Sequence, residues 1–421
     1  MSTLSRRAII AAASSSALVG CRKKSHDGRA VARLWFCYGG NNRVVLLDLV
    51  NKFNKLQGAA VVEPVFQGDY FESLAKLRTA IAAGVPPTFS HVLGEVIPYL
   101  STAGVLEPLD DYPGARRLDF VKQLAQHGAF ENGDKHPMVA LPFNRSTPIM
   151  YTRQDMMDDY RLKAPRTWDE LLFAAKRLYR NESDGGLRWG FEVPIDWWFW
   201  LAMVGQAGGR VIEPDGRITL GGDAGVRALQ FWQSLVHEHK VMRPPPGRDF
   251  NAWDAANTDF LAGRAGITWT STAYLRYIEK NARFRVVTCP LPGDVRRSVP
   301  TGGTFFVMLK DVPQAEKIAA WSFLKWMCEP EQTIEWATRT GYLPVTNAAV
   351  NRLRNQGYYD KHPNDWVAYE QLDHADPWPW STTLFRIERD IVNPRLEEAI
   401  LTNRNAKDAL RDAREEAGTP S

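Results

Sequence analysis

The chain has 421 residues, of which 44% are hydrophobic and 24% charged, and its formal net charge at pH 7 is +4. This length exceeds what one hydrophobic core usually covers, so we expect two domains. Basic and acidic residues are interspersed along the chain, so the charge distribution gives no reason to expect a nucleic-acid partner.

The first residues have the features of an export signal. A basic head at Arg6-Arg7 precedes a run of small and apolar residues over 8–17, which is too short for a permanent membrane span. Leu18-Val19-Gly20-Cys21 then resembles a lipobox, because small residues before a cysteine suit a lipoprotein signal peptidase. We therefore expect residues 1–20 to be a cleaved signal peptide and Cys21 to be the lipid-modified first residue. An ordinary signal with an incidental cysteine is the alternative.

Removal of residues 1–20 takes away two arginines and no acids, so the formal charge falls from +4 to +2. The two arginines also resemble a twin-arginine export signal, although any basic head can contain such a pair. We expect residues 21–30 to form a lipid-anchored tether. Within it, Arg22-Lys23-Lys24 lies where the anchor would hold it against anionic headgroups, and a solvated cluster is the alternative. We expect an exported, membrane-anchored lipoprotein on the periplasmic or cell-surface side.

Strand and helix patterns alternate after the tether. Apolar stretches over 31–36, 61–66 and 88–93 predict strands. Runs with apolar residues at helical spacing over 44–56 and 70–83 predict helices between them. This alternation predicts an α/β domain with a mainly parallel sheet.

The alternation is interrupted at Pro142-Phe143-Asn144-Arg145-Ser146-Thr147-Pro148, after which a second, helix-rich series begins. Thr167 stands three residues before Glu170 and just ahead of an apolar run, which is typical of a capping box at a helix start. The sequence contains no internal repeat and no low-complexity linker, so we expect short extended crossings between the two domains.

Catalytic and metal-binding motifs are missing from the sequence, which has no G-x-S-x-G elbow, P-loop, G-x-G-x-x-G or H-E-x-x-H. His237 and His239 are two residues apart on a predicted helix and point away from each other. Cys37, Cys289 and Cys328 have no CxxC spacing, so each is expected to be a buried free thiol. We expect no metal, no cofactor and no enzymatic activity.

Four aromatic residues follow one another at Trp197-Trp198-Phe199-Trp200. An amphipathic element cannot bury four successive rings on one face, so at least one or two rings are expected to point into a cleft, a partner or solvent, and a pocket is favoured. Such rings stack on the apolar faces of sugars and on quaternary ammonium groups. Core packing is expected for the remaining rings.

Several motifs in the C-terminal half carry a resemblance to a known family. Thr301-Gly302-Gly303, the predicted helix over 315–327 and Thr340-Gly341-Tyr342-Leu343-Pro344-Val345-Thr346 are similar to the C-terminal signature of family 1 extracellular solute-binding proteins of bacterial ABC importers. The crossing at 142–148, the run over 357–363 and the tail that follows it most resemble the members that bind glycerol-3-phosphate for the Ugp importer.

This resemblance implies an α/β fold of the two-lobe periplasmic-binding-protein type with three hinge crossings. Residues 31–142 and 299–340 would form the N-terminal lobe, and residues 147–292 and 346–421 the C-terminal lobe. A small-molecule ligand would bind between the lobes, whose closure excludes bulk water. The permease subunits of an importer would be the protein partners.

The resemblance also implies a ligand-binding set that suits a phosphate ester. Hydroxyls and a glycine N–H would donate to phosphate oxygens, and a guanidinium would neutralise the charge through two parallel hydrogen bonds. Trp168 would wall the glycerol part, and Glu95 matches the polyol-binding acid of the family after a shift of one residue. The expected ligand-binding residues are Tyr70, Glu95, Ser146, Trp168, Trp197, Trp198, Ser271, Gly303, Tyr342 and Arg389.

We therefore expect a substrate-binding lipoprotein that captures glycerol-3-phosphate or a glycerophosphodiester and delivers it to a permease. A choline head on such a diester would use the faces of Trp197 or Trp198. An oligosaccharide-binding protein of a sugar importer is the alternative with the same fold. An exported carbohydrate-active enzyme is the alternative from a different functional class.

Overall fold

The computed structural model describes residues 28–126, 137–181 and 186–418. The predicted signal peptide, Cys21 and the basic residues next to it lie outside the described residues. Within those ranges the chain forms two five-stranded sheets flanked by helices.

The strands are, in chain order, β1 (Ala30–Phe36), β2 (Ala60–Phe66), β3 (Phe89–Leu93), β4 (Leu141–Ser146), β5 (Pro148–Arg153), β6 (Arg180–Asn181), β7 (Leu187–Glu192), β8 (Ala265–Ser271), β9 (Val286–Cys289) and β10 (Gly302–Met308).

The α-helices are α1 (Gly40–Leu56), α2 (Tyr70–Ala82), α3 (Ile97–Thr102), α4 (Lys122–Ala125), α5 (Gln154–Asp159), α6 (Trp168–Leu178), α7 (Trp197–Gln206), α8 (Gly222–Gln233), α9 (Asp249–Leu261), α10 (Leu275–Asn281), α11 (Gln314–Met327), α12 (Pro330–Thr340), α13 (Asn347–Asn355), α14 (Tyr358–Lys361), α15 (Pro363–Glu370), α16 (Leu384–Arg386), α17 (Asn393–Thr402) and α18 (Ala406–Gly418).

The first sheet has the strand order β2-β1-β3-β10-β4. β1 is parallel to β2 and β3, and β10 is antiparallel to both of its neighbours. Four of its strands therefore share one direction, which confirms the mainly parallel sheet. The predicted strands end at the observed residues, whereas α1 begins four residues before the predicted start because its polar first turn, Gly40-Asn41-Asn42-Arg43, carries no apolar pattern.

The second sheet has the strand order β6-β7-β8-β5-β9 and is also mixed. β7 is parallel to β8, while β5 is antiparallel to β8 and β9. Thr167 caps α6 as predicted, since its Oγ1 accepts a hydrogen bond from Glu170 N at 3.1 Å. α6 packs on β7 and α9 packs on β8, so helices flank this sheet as well.

The chain passes between the two sheets three times. β4 ends at Ser146 and β5 begins at Pro148, so the first passage is only one residue long. The second passage leads from β9 to β10, and the third follows α12. The passages lie side by side, since Leu343 N donates to Arg145 O at 2.9 Å. This arrangement is the predicted two-lobe α/β fold; the lobe boundaries in residue numbers stay a prediction.

Helix α7 is buried on all sides. Trp197, Trp198, Phe199 and Trp200 are 2%, 9%, 0% and 0% exposed, because α8, α9 and the loop around Trp378 surround the helix. A helix that is apolar all round belongs in a core rather than at a surface. Four successive rings can be buried together here because different neighbours cover different faces of this helix.

The three described cysteines are buried free thiols, as predicted. Among the described residues, none of the helices combines the length and the apolar character needed to span a bilayer.

Candidate ligand-binding site between the two sheets

A cavity of about 810 Å³ lies between the two sheets and is lined by residues from both. Its volume is in the range of small-molecule binding sites. Nine of the ten predicted ligand-binding residues line this cavity: Tyr70, Glu95, Ser146, Trp197, Trp198, Ser271, Gly303, Tyr342 and Arg389.

Trp168 is the exception, and its predicted position beside the ligand is corrected. Its ring stacks on Phe231, with centroids 4.5 Å apart and ring planes 10° apart. Its Nε1 donates to Gln206 Oε1 at 2.7 Å, and the residue is 5% exposed. The first turn of α6 therefore directs this ring into the hydrophobic core instead of the cavity.

Tyr70 and Tyr342, which line the cavity, form a neutral cluster with Asn144. The hydroxyls of the two tyrosines are 3.4 Å apart, and Asn144 Nδ2 donates to Tyr70 Oη at 3.4 Å. Asn144 Oδ1 accepts from Thr304 N at 2.9 Å, which ties the cluster to β10. Burial raises the pKa of both phenols, so both stay protonated at neutral pH and serve as hydrogen-bond donors and acceptors.

Two serines stand at the first passage between the sheets. Ser146 ends β4 opposite Gly302, and Ser271 ends β8 opposite Pro148. Ser271 Oγ accepts a hydrogen bond from Ala273 N at 3.1 Å, which leaves its hydroxyl hydrogen as a donor. These strand ends bring both hydroxyls to the lining of the cavity.

Gly303 is required by the backbone around it. Its φ is +93°, and a Cβ at this position would stand 1.9 Å from Asn144 O on β4. A register shift between β10 and β4 occurs at the same place. Glycine is needed here for the approach of the two strands, in addition to any contact with a ligand.

Arg145 has a structural role that the sequence did not reveal. Its side chain is fully buried and donates to Leu124 O at 3.0 Å, Gly303 O at 2.8 Å and Thr301 Oγ1 at 3.0 Å. Burial lowers its pKa to about 10, so it remains charged at neutral pH. It fixes the first passage against β10.

A second part of the cavity is an acidic cluster, which consists of Glu95, Asp196 and Glu388. Glu95 lies on a 3₁₀ turn after β3, Asp196 caps α7 and Glu388 lies on a π-helical turn, Ile387–Val392. Asp196 accepts from Trp198 N at 2.8 Å and from Trp253 Nε1 at 3.1 Å. Within the described part of the chain, Glu95 Oε2 and Glu388 Oε2 are buried and accept no hydrogen bond.

The carboxyl groups of the acidic cluster resist ionisation. Burial raises the pKa of Glu95 to about 7, with a further increase from Asp196 and an opposing effect of Arg145. Burial also raises the pKa of Asp196 and of Glu388, and Glu95 and Asp196 raise that of Glu388 further. In all three groups burial is the largest cause of the raised pKa.

Arg389 connects the two sides of the cavity. Its Nη1 and Nη2 donate to Asp249 Oδ1 and Oδ2 at 3.0 and 3.2 Å. Its Cζ is 3.3 Å from the ring centroid of Phe71, which belongs to α2 beside the first sheet. Of the described residues that line the cavity, Arg389 alone is cationic, against six carboxylates: Asp69, Glu95, Asp196, Asp249, Asp254 and Glu388.

An aromatic wall of Trp198, Trp253 and Tyr274 lines the cavity from the side of the second sheet. Trp253 lies 5.8 Å from Trp198 at an interplanar angle of 28°, and 6.2 Å from Tyr274 at 24°. The sequence reasoning missed Trp253 and Tyr274, as well as Asp196 and Glu388. Helix-borne rings and carboxylates of this kind are usually interpreted as core or surface residues, and no local motif marks them.

No three His, Cys, Asp or Glu side chains in the described ranges are grouped so that they could hold a metal ion. The chemistry available in the cavity is therefore that of hydroxyls, carboxylates, one guanidinium and aromatic faces. Such groups bind and orient a polar organic molecule.

Comparisons with known proteins agree with this architecture. The chain matches the family model described as bacterial extracellular solute-binding protein over residues 48–370. The sn-glycerol-3-phosphate-binding periplasmic protein UgpB of Yersinia enterocolitica is 26% identical over 368 residues, which are 83% of this chain and 82% of that protein.

Solved structures with the same fold include UgpB from Mycobacterium tuberculosis in complex with glycerophosphocholine. Its TM-score is 0.81 and its sequence identity is 22%, and the alignment covers 93% of this chain and 98% of that chain. Maltose-bound T. maritima MalE3 has a TM-score of 0.80 and 21% identity, and the alignment covers 92% of this chain and 98% of that chain. The chain therefore belongs to the bacterial extracellular solute-binding protein family, as a solute-binding protein of ABC importers.

Proposed function

We propose that the protein captures glycerol-3-phosphate or a glycerophosphodiester between two lobes, 31–142 with 299–340 and 147–292 with 346–421, and delivers it intact to a permease. The observation that carries this proposal is the lining of one cavity by several hydroxyls and a guanidinium. Hydroxyls donate to phosphate oxygens, and a guanidinium forms charge-assisted bonds with them. The names of the similar proteins support a binding protein rather than an enzyme.

Arg389 is the group that would hold the phosphate. Its two bonds to Asp249 leave other N–H donors of the guanidinium for a ligand. The Phe71 ring covers one face of the guanidinium and holds it at the cavity. An anion bound here would contact groups from both lobes, which favours closure of the lobes around it.

An oligosaccharide is the second candidate ligand. The aromatic wall and the six carboxylates are groups that stack on sugar rings and accept hydrogen bonds from sugar hydroxyls. A neutral sugar would also avoid adding negative charge to an acidic cavity. The presence of Arg389 and of several hydroxyl donors favours the phosphate ester.

A ligand-dependent melting experiment tests the proposal. Glycerol-3-phosphate or a glycerophosphodiester at about 100 times its dissociation constant stabilises the folded protein by about 2.7 kcal/mol, and the melting temperature should rise accordingly. The ligand should be recovered unchanged after prolonged incubation. Consumption of the ligand would instead support the carbohydrate-active or other enzymatic alternative, and a response to maltose alone would support the sugar binder.

We also propose that the mature protein is a lipoprotein anchored through Cys21, on the basis of the lipobox-like motif in the sequence. In Cys21→Ser the thiol that accepts the lipid is absent, so labelled lipid should not be incorporated and the signal should remain uncleaved. Equal lipid labelling of wild type and Cys21→Ser would rule out this anchor.

A further inference from the structure

Asp249 has an unusual backbone conformation for the first residue of a helix. Its φ is +49°, in the left-handed region that few residues other than glycine adopt. Of the five non-glycine residues with a positive φ in the described ranges, Asp249 alone lines the cavity. Such a conformation persists only where the surrounding structure enforces it, and it is found preferentially at functional sites. A contact made by the Asp249 side chain is therefore the expected reason for the strain.

That contact is the bidentate ion pair with Arg389. The two carboxylate oxygens accept from Nη1 and Nη2 at 3.0 and 3.2 Å. The side chains of Arg389 and Asp249 are 29% and 42% exposed, so solvent screens their attraction and the pair adds little to stability. What two parallel hydrogen bonds do provide is a fixed orientation of the planar guanidinium. The strained conformation is thus better explained by orientation than by stability.

We propose that Asp249 is a positioning residue, which fixes the plane of the Arg389 guanidinium in the cavity. Its two bonds use one N–H of Nη1 and one N–H of Nη2. The Nε–H and the adjacent free Nη N–H form a second edge of the guanidinium, and the ion pair gives this edge a fixed direction. A ligand with two acceptor oxygens can bind there in the same plane. The effect on ligand binding rests on the proposed function.

The residue after Asp249 supports the same guanidinium from its face. Phe71 covers that face, with its ring centroid 3.3 Å from Arg389 Cζ. The ring of Phe250 lies 6.2 Å from that of Phe71, and the ring of Phe385 lies at the same distance. Because α2 carries Phe71 beside the first sheet and α9 packs on the second sheet, the orientation of Arg389 depends on contacts from both sides of the cavity.

Neutralisation of charge alone would be a different role for Asp249. An aspartate that only neutralises Arg389 competes with an anionic ligand, so its removal would tighten binding. A positioning aspartate has the opposite effect, because a guanidinium that is free to rotate must be ordered when the ligand binds. The sign of the change in affinity therefore separates the two roles.

Calorimetric titration of Asp249→Gly with glycerol-3-phosphate tests the positioning role. Glycine adopts the left-handed conformation without steric cost, so this variant removes the carboxylate and keeps the backbone of α9. We expect at least tenfold weaker binding and little change in the melting temperature without ligand. Asp249→Asn tolerates the same φ and keeps one acceptor oxygen, so it should recover part of the loss. Asp215→Gly, which breaks an exposed ion pair with Arg217 outside the cavity, is the matched control and should not change the affinity.

Nitrogen-15 NMR of the arginine side chains measures the positioning without any ligand. A guanidinium held by two parallel bonds rotates slowly about its Nε–Cζ bond, so its two Nη nitrogens should give separate signals in wild type. These signals should merge in Asp249→Gly. Arg389→Lys identifies them, because the signals of Arg389 are then missing from the spectrum.

The outcomes separate this inference from the proposed function. Unchanged or tighter binding in Asp249→Gly, or Arg389 signals that stay separate in that variant, overturns the positioning role and leaves the phosphate-ester binder intact. If wild type does not bind glycerol-3-phosphate or a glycerophosphodiester, the proposed function fails, and the NMR signals alone decide whether Asp249 positions Arg389. If Asp249→Gly does not fold, Asp249→Asn is used for the same two measurements.

Discussion

Tyr70 and Tyr342 of the neutral cluster line the same cavity as the acidic cluster, but the two clusters differ in how their polar atoms are satisfied. Tyr70, Tyr342 and Asn144 bond to one another and to β10. In the acidic cluster, Glu95 and Glu388 each have a buried carboxylate oxygen without a donor among the described residues. The neutral cluster is thus preorganised by the protein alone, whereas the acidic cluster is stabilised by a proton or by a positive group. We therefore expect the neutral cluster to recognise the shape of a ligand and the acidic cluster to respond to its charge.

Replacement of the Arg389 guanidinium should have the largest effect. Arg389→Ala removes the charge-assisted partner of a desolvated phosphate, at a cost of about 2–5 kcal/mol of binding free energy. Calorimetry should show a near loss of phosphate-ester binding, while the melting temperature without ligand changes little. Arg352→Ala, which breaks an exposed ion pair with Glu331, is the control. Unchanged affinity in Arg389→Ala would mean that no anion is bound at this position.

The preorganisation of the neutral cluster depends on the backbone of β10. Gly303→Ala forces a side chain into a φ of +93° and toward Asn144 O, so we expect a loss of at least about 2 kcal/mol in the free energy of unfolding. Gly84→Ala is the matched control, since Gly84 has a φ of +71° with no atom within 4 Å of a Cβ, and should cost about 1 kcal/mol. Urea denaturation measures the free energy of unfolding of both variants. Equal losses would show that the approach of β4 and β10 does not require glycine.

The acidic cluster should make stability depend on pH. Because the pKa of Glu95 rises from 4.5 to about 7 on folding, the folded protein binds this proton more tightly than the unfolded chain. The contribution of the Glu95 carboxyl to the free energy of unfolding is therefore fully present below pH 4.5. It decreases as the pH rises to about 7. Glu95→Gln should be more stable than wild type at pH 8, by up to about 3 kcal/mol, and no more stable at pH 4.

Urea denaturation of wild type and Glu95→Gln from pH 4 to pH 8 checks the sign of this pH dependence. Tyr342→Phe belongs to the neutral cluster and should show the pH profile of wild type between pH 4 and 8. A constant difference between wild type and Glu95→Gln at all pH values would contradict the charge assigned to the acidic cluster.

The smallest effect is expected for a single hydroxyl of the neutral cluster. Tyr342→Phe removes one neutral hydrogen bond to the ligand and should weaken phosphate-ester binding by about 0.5–1.5 kcal/mol, by a similar amount for every member of the series. Titration with glycerol-3-phosphate and with glycerophosphocholine measures the change. A loss confined to glycerophosphocholine would show that Tyr342 contacts the head group, and the division between the clusters would then be wrong.

Local patterns in the sequence predicted the local features of the fold. The first three strands, α2 and the Thr167 cap depend on residues close in sequence, and the structure confirms them. Most of the residues that the resemblance to a family named do line the cavity, although their contacts with a ligand stay a prediction. Trp168 was misplaced because a ring in the first turn of a helix can face inward or toward a cleft, and only packing against α8 decides which.

The residues that the sequence reasoning missed depend on long-range packing. Trp253 reaches the cavity because α9 packs on β8, and its indole is held by Asp196. Glu388 lies on the turn that directly follows α16, and α16 contacts the turn that carries Glu95, nearly 300 positions away in the chain. No periodicity within a window of the sequence contains such information, and family resemblance transfers only the positions that match a motif.

The central claim is that the cavity binds a phosphate ester of glycerol rather than a sugar. Calorimetric titration of wild type with glycerol-3-phosphate, glycerophosphoethanolamine, glycerophosphocholine and maltose under one set of conditions tests it most directly. The account predicts that a glycerophosphodiester binds most tightly and that maltose binds at least about 100-fold more weakly, a difference of about 2.7 kcal/mol. Tighter binding of maltose than of every phosphate ester would contradict the account and establish the sugar-binding alternative.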